Sequence, residues 1–175
     1  TDRRNGRQQY VYLANFDWYN YLYDDSRPTW DHNINIKGGT KALSYMVSGR
    51  YYQQKGVNRI EPDMFKSYNF RVKLQAEIKP WLTIASNTKF FQSNYKYYGY
   101  EDEYNNFRKP TLHALASFVP VNPDGTAVSH TSMTQSSTHY LMDGYSAMMQ
   151  KGKSFGNKKT QEITTTFEAT FKLHR

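Results

Sequence analysis

Residues 68–91 read YNFRVKLQAEIKPWLTIASNTKFF, and the parity of this stretch decides the fold. Tyr68, Phe70, Val72, Leu74, Ala76 and Ile78 alternate without a miss against Asn69, Arg71, Lys73, Gln75 and Glu77. Successive side chains of a strand point to opposite faces, so this pattern specifies a strand with one apolar and one strongly polar side. A helix would smear the same charges around its cylinder. Lys79-Pro80-Trp81 then predicts a tight reversal, with a second strand from Leu82. The alternation lasts eleven residues. A soluble strand averages ~5–6 residues, whereas a tilted membrane-spanning strand needs ~9–11. That length, with aromatic residues near both ends, makes a transmembrane β-barrel hairpin the first expectation.

The same period recurs on either side. His32, Ile34 and Ile36 alternate with Asn33, Asn35 and Lys37, and Gly38-Gly39 predicts a hairpin turn. From Ala42, the residues Leu43, Tyr45, Val47, Gly49 and Tyr51 oppose Ser44, Met46, Ser48, Arg50 and Tyr52. The last alternation sets Ile163, Thr165, Phe167, Ala169, Phe171 and Leu173 against Glu162, Thr164, Thr166, Glu168, Thr170 and Lys172. Strands are therefore expected at about 32–37, 42–53, 67–79, 82–97 and 161–174, with outer loops at 10–31, 54–66 and 98–160. Connections alternate short and long, as in outer-membrane barrels. The fold class expected is all-β, an antiparallel meander forming part of a large transmembrane barrel. Five strands cannot close a barrel, because the smallest single-chain ones have ~8. The sequence thus reads as part of something larger.

Within the first outer loop, Trp18 and Leu22 stand four apart beside Phe16, Tyr19 and Tyr23, predicting a short helix capped by Asn15 or Asp17. Residues 1–9 are polar and basic and read as frayed. In 98–160 no period of two persists. The pieces Leu112–Val119 and Tyr140–Met149 suggest local folding, with a turn at Pro123–Gly125.

Composition bounds the function. The 175 residues fit one domain. Aromatic residues make up 17% and include 16 Tyr, while mean hydropathy is low. A barrel with a polar interior and wet loops tolerates that average. No run approaches the ~20 apolar residues of a membrane-spanning helix. The start, TDRRNGRQQY, lacks the apolar segment of a signal peptide, as in a mature chain or an internal piece. With no Cys, disulfides and thiol chemistry are excluded. The net charge of +8 is scattered rather than gathered in one stripe, which argues against nucleic acid as a partner. The five His show no metal-ligand spacing, and no nucleophile elbow or phosphate loop is present. The inventory points to a non-enzyme without a cofactor.

Asp17-Trp18, then His32 to Gly39 (HNINIKGG), then Tyr45 to Gly56 (YMVSGRYYQQKG) resemble the opening of the barrel in SusC/RagA-type TonB-dependent transporters. Tyr68 to Leu74, Pro80-Trp81-Leu82, and Pro120 to Thr126 (PVNPDGT) are similar to that family's next elements, in the same order. Each motif alone is weak; their succession along nearly the whole chain is more specific. The plug domain, the TonB box and most barrel strands of the family have no counterpart in this sequence. The resemblance implies a barrel of about 22 strands with a plugged lumen, in the bacterial outer membrane. It also implies import of oligosaccharides or peptides with a SusD-like surface lipoprotein and energy drawn through TonB.

On this reading Tyr45, Val47, Phe70, Val72, Leu74, Ile78, Ile84, Phe167 and Phe171 face lipid. Arg50, Arg71, Lys73, Glu77, Glu168 and Lys172 face inward. The candidate substrate-binding residues are Trp18, Trp30, Tyr98, Tyr100 and Asp124, against a plainer reading of each as loop packing. Two other readings stay open: a soluble β-sheet module that stacks aromatic rings on glycans, and a surface protein assembled by strand addition at open edges.

Overall fold

The computed structural model of the chain describes residues 2–4, 7–9, 14–99, 115–117, 119–121, 123, 125 and 155–172. These described residues are all-β apart from one short helix. The elements are β1 (Asp2–Arg4), β2 (Arg7–Gln9), α1 (Trp18–Leu22), β3 (Thr29–Gly39), β4 (Leu43–Lys55), β5 (Met64–Lys79), β6 (Leu82–Tyr98) and β7 (Phe155–Phe171). The last five form one open antiparallel sheet in chain order, β3-β4-β5-β6-β7. The first two pair antiparallel, with Asp2 opposite Gln9 and Arg4 opposite Arg7, in a stretch expected to be frayed.

The chain divides into two units. The sheet unit comprises Pro28–Lys55, Met64–Tyr95 and Asn157–Arg175; the loop unit comprises Thr1–Arg27, Gly56–Asp63 and Lys96–Gly156.

In the sheet unit, register turns sequence parity into two chemically distinct faces. Ile36 lies opposite Val47, and Val47 opposite Val72; Ile34, Gly49 and Phe70 form the next row. The threonine hydroxyls of Thr88 and Thr165 lie 3.3 Å apart, and Gln161 Nε2 donates to Gln92 Oε1 at 2.8 Å, which fixes β6 against β7. Arg71 Nε donates to Asn87 Oδ1 at 2.9 Å, placing odd-numbered residues of β5 and β6 on one face. The apolar residues expected to face outward therefore share one side, and the charged residues expected inward share the other. The apolar side is bare: Ile163 and Phe167 are 72% and 76% exposed, and Ile34, Phe70, Leu74, Ile78 and Phe171 are exposed with them. Among the described residues no second layer covers it.

Both tight turns lie at one end of the sheet. Pro80 and Trp81 link β5 to β6, as the sequence predicts. The β3–β4 turn differs from expectation, because Gly38 and Gly39 belong to β3, paired with Tyr45 and Ser44. Thr40 makes the reversal instead, its N–H donating to the Leu43 carbonyl at 2.6 Å and its hydroxyl accepting from the Leu43 N–H at 3.2 Å. The glycines serve close approach. A Cβ on Gly38 would meet the ring of Tyr45, 2.7 Å from Cζ, and one on Gly39 would run into the Leu43 carbonyl oxygen. Strand bounds also shift: β3 begins at Thr29, β5 at Met64, and β7 at Phe155 rather than Gln161.

Candidate functional site

The polar face of the sheet unit is its hollow side. An open concavity of about 460 Å³ is lined by Lys37, Ser44, Lys73, Gln75, Asn87 and Glu168, among others. A second, of about 310 Å³, is lined toward the turns by Thr40, Glu77, Thr83, Thr170 and Lys172. Strand pairing assembles them: Lys37 opposes Met46, Met46 opposes Lys73, and Ser44 opposes Gln75. The volumes fall in the range of small-molecule sites, and the walls mix hydroxyls, amides and opposite charges with apolar atoms of Tyr45, Met46 and Leu74. Such a surface suits hydrated, polyhydroxylated or zwitterionic solutes, whose groups trade water hydrogen bonds for protein ones at little net cost.

Further along the same face Arg50 makes a bidentate contact with Asp31, Nε at 2.9 Å and Nη2 at 2.6 Å, and Asn33 Nδ2 reaches the same carboxylate at 3.2 Å. Both charges remain well exposed. Water screens such pairs, so this one orients side chains more than it stabilises the fold.

The loop unit holds the small core of the described residues. Asp17 caps α1, its Oδ1 accepting from the Asn20 N–H at 3.0 Å, as the sequence predicts. That bond, with a second from the Asn20 side chain, holds the Asp17 carboxyl below its ordinary value. Leu22 is 1% exposed, Trp18 7% and Tyr23 is buried with them; Phe16, Tyr21 and Val57 pack around this group. Phe16 meets Trp18 and Tyr21 edge-on, with ring centroids 5.2 and 5.3 Å apart. Two distant segments complete the cluster. Arg59 Nη2 donates to the Tyr23 carbonyl at 3.0 Å beyond the C-terminal end of the helix, while its Nε pairs with Asp24 at 3.2 Å. Trp18 Nε1 donates to the Leu115 carbonyl at 2.9 Å, and the N–H of Phe16 to that of Ala116 at 2.7 Å.

Of the expected binding residues, Trp18 and Tyr98 belong to the loop unit and Trp30 to the sheet unit. Trp18 packs in the small core, 7% exposed, and its N–H is taken by the Leu115 carbonyl, in keeping with the plainer packing reading. Trp30 lies in β3 rather than in a loop, and on the apolar side, where it is 46% exposed. Tyr98 ends β6, with the Lys96 ammonium 5.0 Å from its ring centroid. Tyr100 and Asp124, like Tyr140–Met149, lie outside the described residues. Sequence reasoning favoured aromatic residues and passed over Ser44, Gln75 and Asn87, whose signal was their parity with Arg71 and Lys73. Among the described residues no cluster of His, Asp or Glu is arranged to hold a metal ion.

Comparison with protein-family models, with characterised proteins and with solved structures finds no match to this chain.

Proposed function

We propose that the sheet is part of an outer-membrane β-barrel, with its apolar face against lipid and its hollow polar face lining the lumen of a nutrient importer of the SusC/RagA type. The observation that carries this reading is the bare apolar face. In water such a surface on five long strands is an aggregation hazard; in a bilayer it is the required outer wall. Tyr68 to Ile78 spans ten residue steps, roughly 33 Å along the strand. Tilted by ~35–45°, that length projects to roughly 23–27 Å, against an apolar band of ~25 Å in such barrels. Aromatic rows bracket it. His32, Tyr51 and Tyr68 follow one another across β3–β5, with centroids 6.3 and 5.2 Å apart, and Trp81 stacks on Phe171 at 6.2 Å beside the turns. They suit the two interfacial belts of a membrane wall.

On this proposal the tight turns face the periplasm and the missing strands join β3 and β7. The cargo is an oligosaccharide or peptide, handled without covalent chemistry, with a SusD-like lipoprotein outside and TonB inside as partners. The test is uptake of labelled oligosaccharides and peptides by cells with and without the polypeptide that carries this chain. The proposal expects saturable uptake that needs the polypeptide and stops when a protonophore collapses the inner-membrane gradient. Uptake unchanged by its removal would reject the importer while leaving the membrane sheet to be judged separately.

A further inference from the structure

The charged residues on the apolar face of β3 to β7 are all lysines: Lys55, Lys66 and Lys159 in the sheet unit, and Lys96 in the end of β6 that belongs to the loop unit. Every Asp and Glu of β3 to β7 falls on the hollow face instead, as Asp31, Glu77, Glu162 and Glu168 do. The three lysines of the sheet unit also lie at one end. Lys55 pairs with Met64 and Gln53 with Lys66 in the last rows of β4–β5, away from both tight turns. Counting on from Gln92–Gln161 sets Lys159 opposite Asn94, at the same end of β6–β7. On β5 the outward residues change in order from Phe70 to Tyr68 to Lys66, that is, from apolar to aromatic to cationic.

We infer that this lysine row binds the phosphate-bearing headgroups of the lipid leaflet at the end of the sheet away from the tight turns. The inference rests on the membrane reading above and adds to it a lipid preference confined to one leaflet. A face wholly free of carboxylates offers anionic headgroups no repulsion. Lysines just beyond an aromatic row lay their stems along the apolar band and raise their ammonium groups to headgroup level. Neighbouring strands stand ~4.8 Å apart, so Lys66 and Lys159, two strands apart, are spaced to hold one or two phosphates rather than a single shared oxygen.

The test reconstitutes the complete polypeptide in phosphatidylcholine vesicles, with a fluorophore on Gln53→Cys beside the row or on Phe70→Cys in the apolar band. One-fifth of the lipid is brominated, either as phosphatidylcholine or as phosphatidylglycerol, and quenching is read. Brominated phosphatidylcholine should quench the label at position 70. At position 53 phosphatidylglycerol should be preferred by about five-fold per lysine. The preference should vanish in the Lys55→Gln, Lys66→Gln, Lys159→Gln triple variant, return in the corresponding arginine variant, and survive Lys89→Gln on the other face. Quenching at position 70 with no preference at position 53 overturns this inference alone. A preference erased by millimolar inorganic phosphate would assign the row to a soluble anion and overturn it too. No quenching at position 70 removes the membrane reading and this inference with it.

Discussion

Gly38 and Gly39 look interchangeable in the sequence and are not. A side chain at Gly38 meets the far end of Tyr45, which can swing away; one at Gly39 meets the Leu43 carbonyl and the Ser44 Cα, 2.8 Å away, which cannot. Gly39→Ala should therefore destabilise the β3–β4 hairpin by about 2–3 kcal/mol and Gly38→Ala by about 1 kcal/mol or less. Urea titration of the folded protein in bilayers measures both, and the reverse order would contradict the geometry. Tyr97 lies over Gly156 in a similar way at the far end of β6–β7. Asp17 supplies a pH test. Its folded pKa is depressed below the ordinary 3.8, so its cap stabilises α1 fully above that value. The contribution is lost as pH falls through the lower folded value. Trp18 emission, followed in a Trp30→Phe, Trp81→Phe background, should shift red in that acid window. In Asp17→Ala the shift should already be present at neutral pH, whereas Asp17→Asn, which can still cap, should behave as the parent does at neutral pH.

At the scale of elements the two faces of β5 make opposite predictions. Phe70→Arg puts a cation in the middle of the apolar band and should cost about 2–4 kcal/mol in a bilayer. Lys73→Ala, on the hollow face, should cost under about 0.5 kcal/mol. Equal costs would remove the distinction between the faces. These faces were legible in the sequence because a period of two is a local property: Tyr68 to Ile78 carries it without help from any other segment. Strand ends were less legible. Residues 155–160 of β7 (FGNKKT) alternate poorly, since Lys158 and Lys159 are alike on both faces, and only pairing with β6 shows them as strand. Gly38-Gly39 read as a turn because glycine is the usual turn residue; the cross-strand Tyr45 that explains Gly38 is a tertiary contact. The cap at Asp17 was readable from four adjacent residues. The bond from Trp18 to Leu115, across ninety-seven positions, was not.

For the whole molecule the governing fact is an open sheet. Among the described residues β3 and β7 each have one neighbour, so the outer edge of each presents backbone N–H and C=O groups that no described strand pairs, and one face of all five strands is apolar and bare. In lipid every unpaired group costs several kcal/mol, so the account requires further strands beside both edges; in water the same edges recruit other copies. Residues 1–175 alone should therefore associate in plain buffer, and size exclusion showing a monodisperse monomer with cooperative thermal unfolding would favour a soluble sheet module instead. On the membrane proposal, one face of the sheet meets lipid and the other meets water. Because the chain has no cysteine of its own, single cysteines placed in turn from Tyr68 to Ile78 test it directly in outer-membrane preparations with a charged, membrane-impermeant thiol reagent. The account predicts a strict alternation: positions 69, 71, 73, 75 and 77 label, and positions 70, 72, 74 and 76 stay protected until the bilayer is dissolved. Even-numbered positions that label as fast as their odd-numbered neighbours in intact membranes would contradict it.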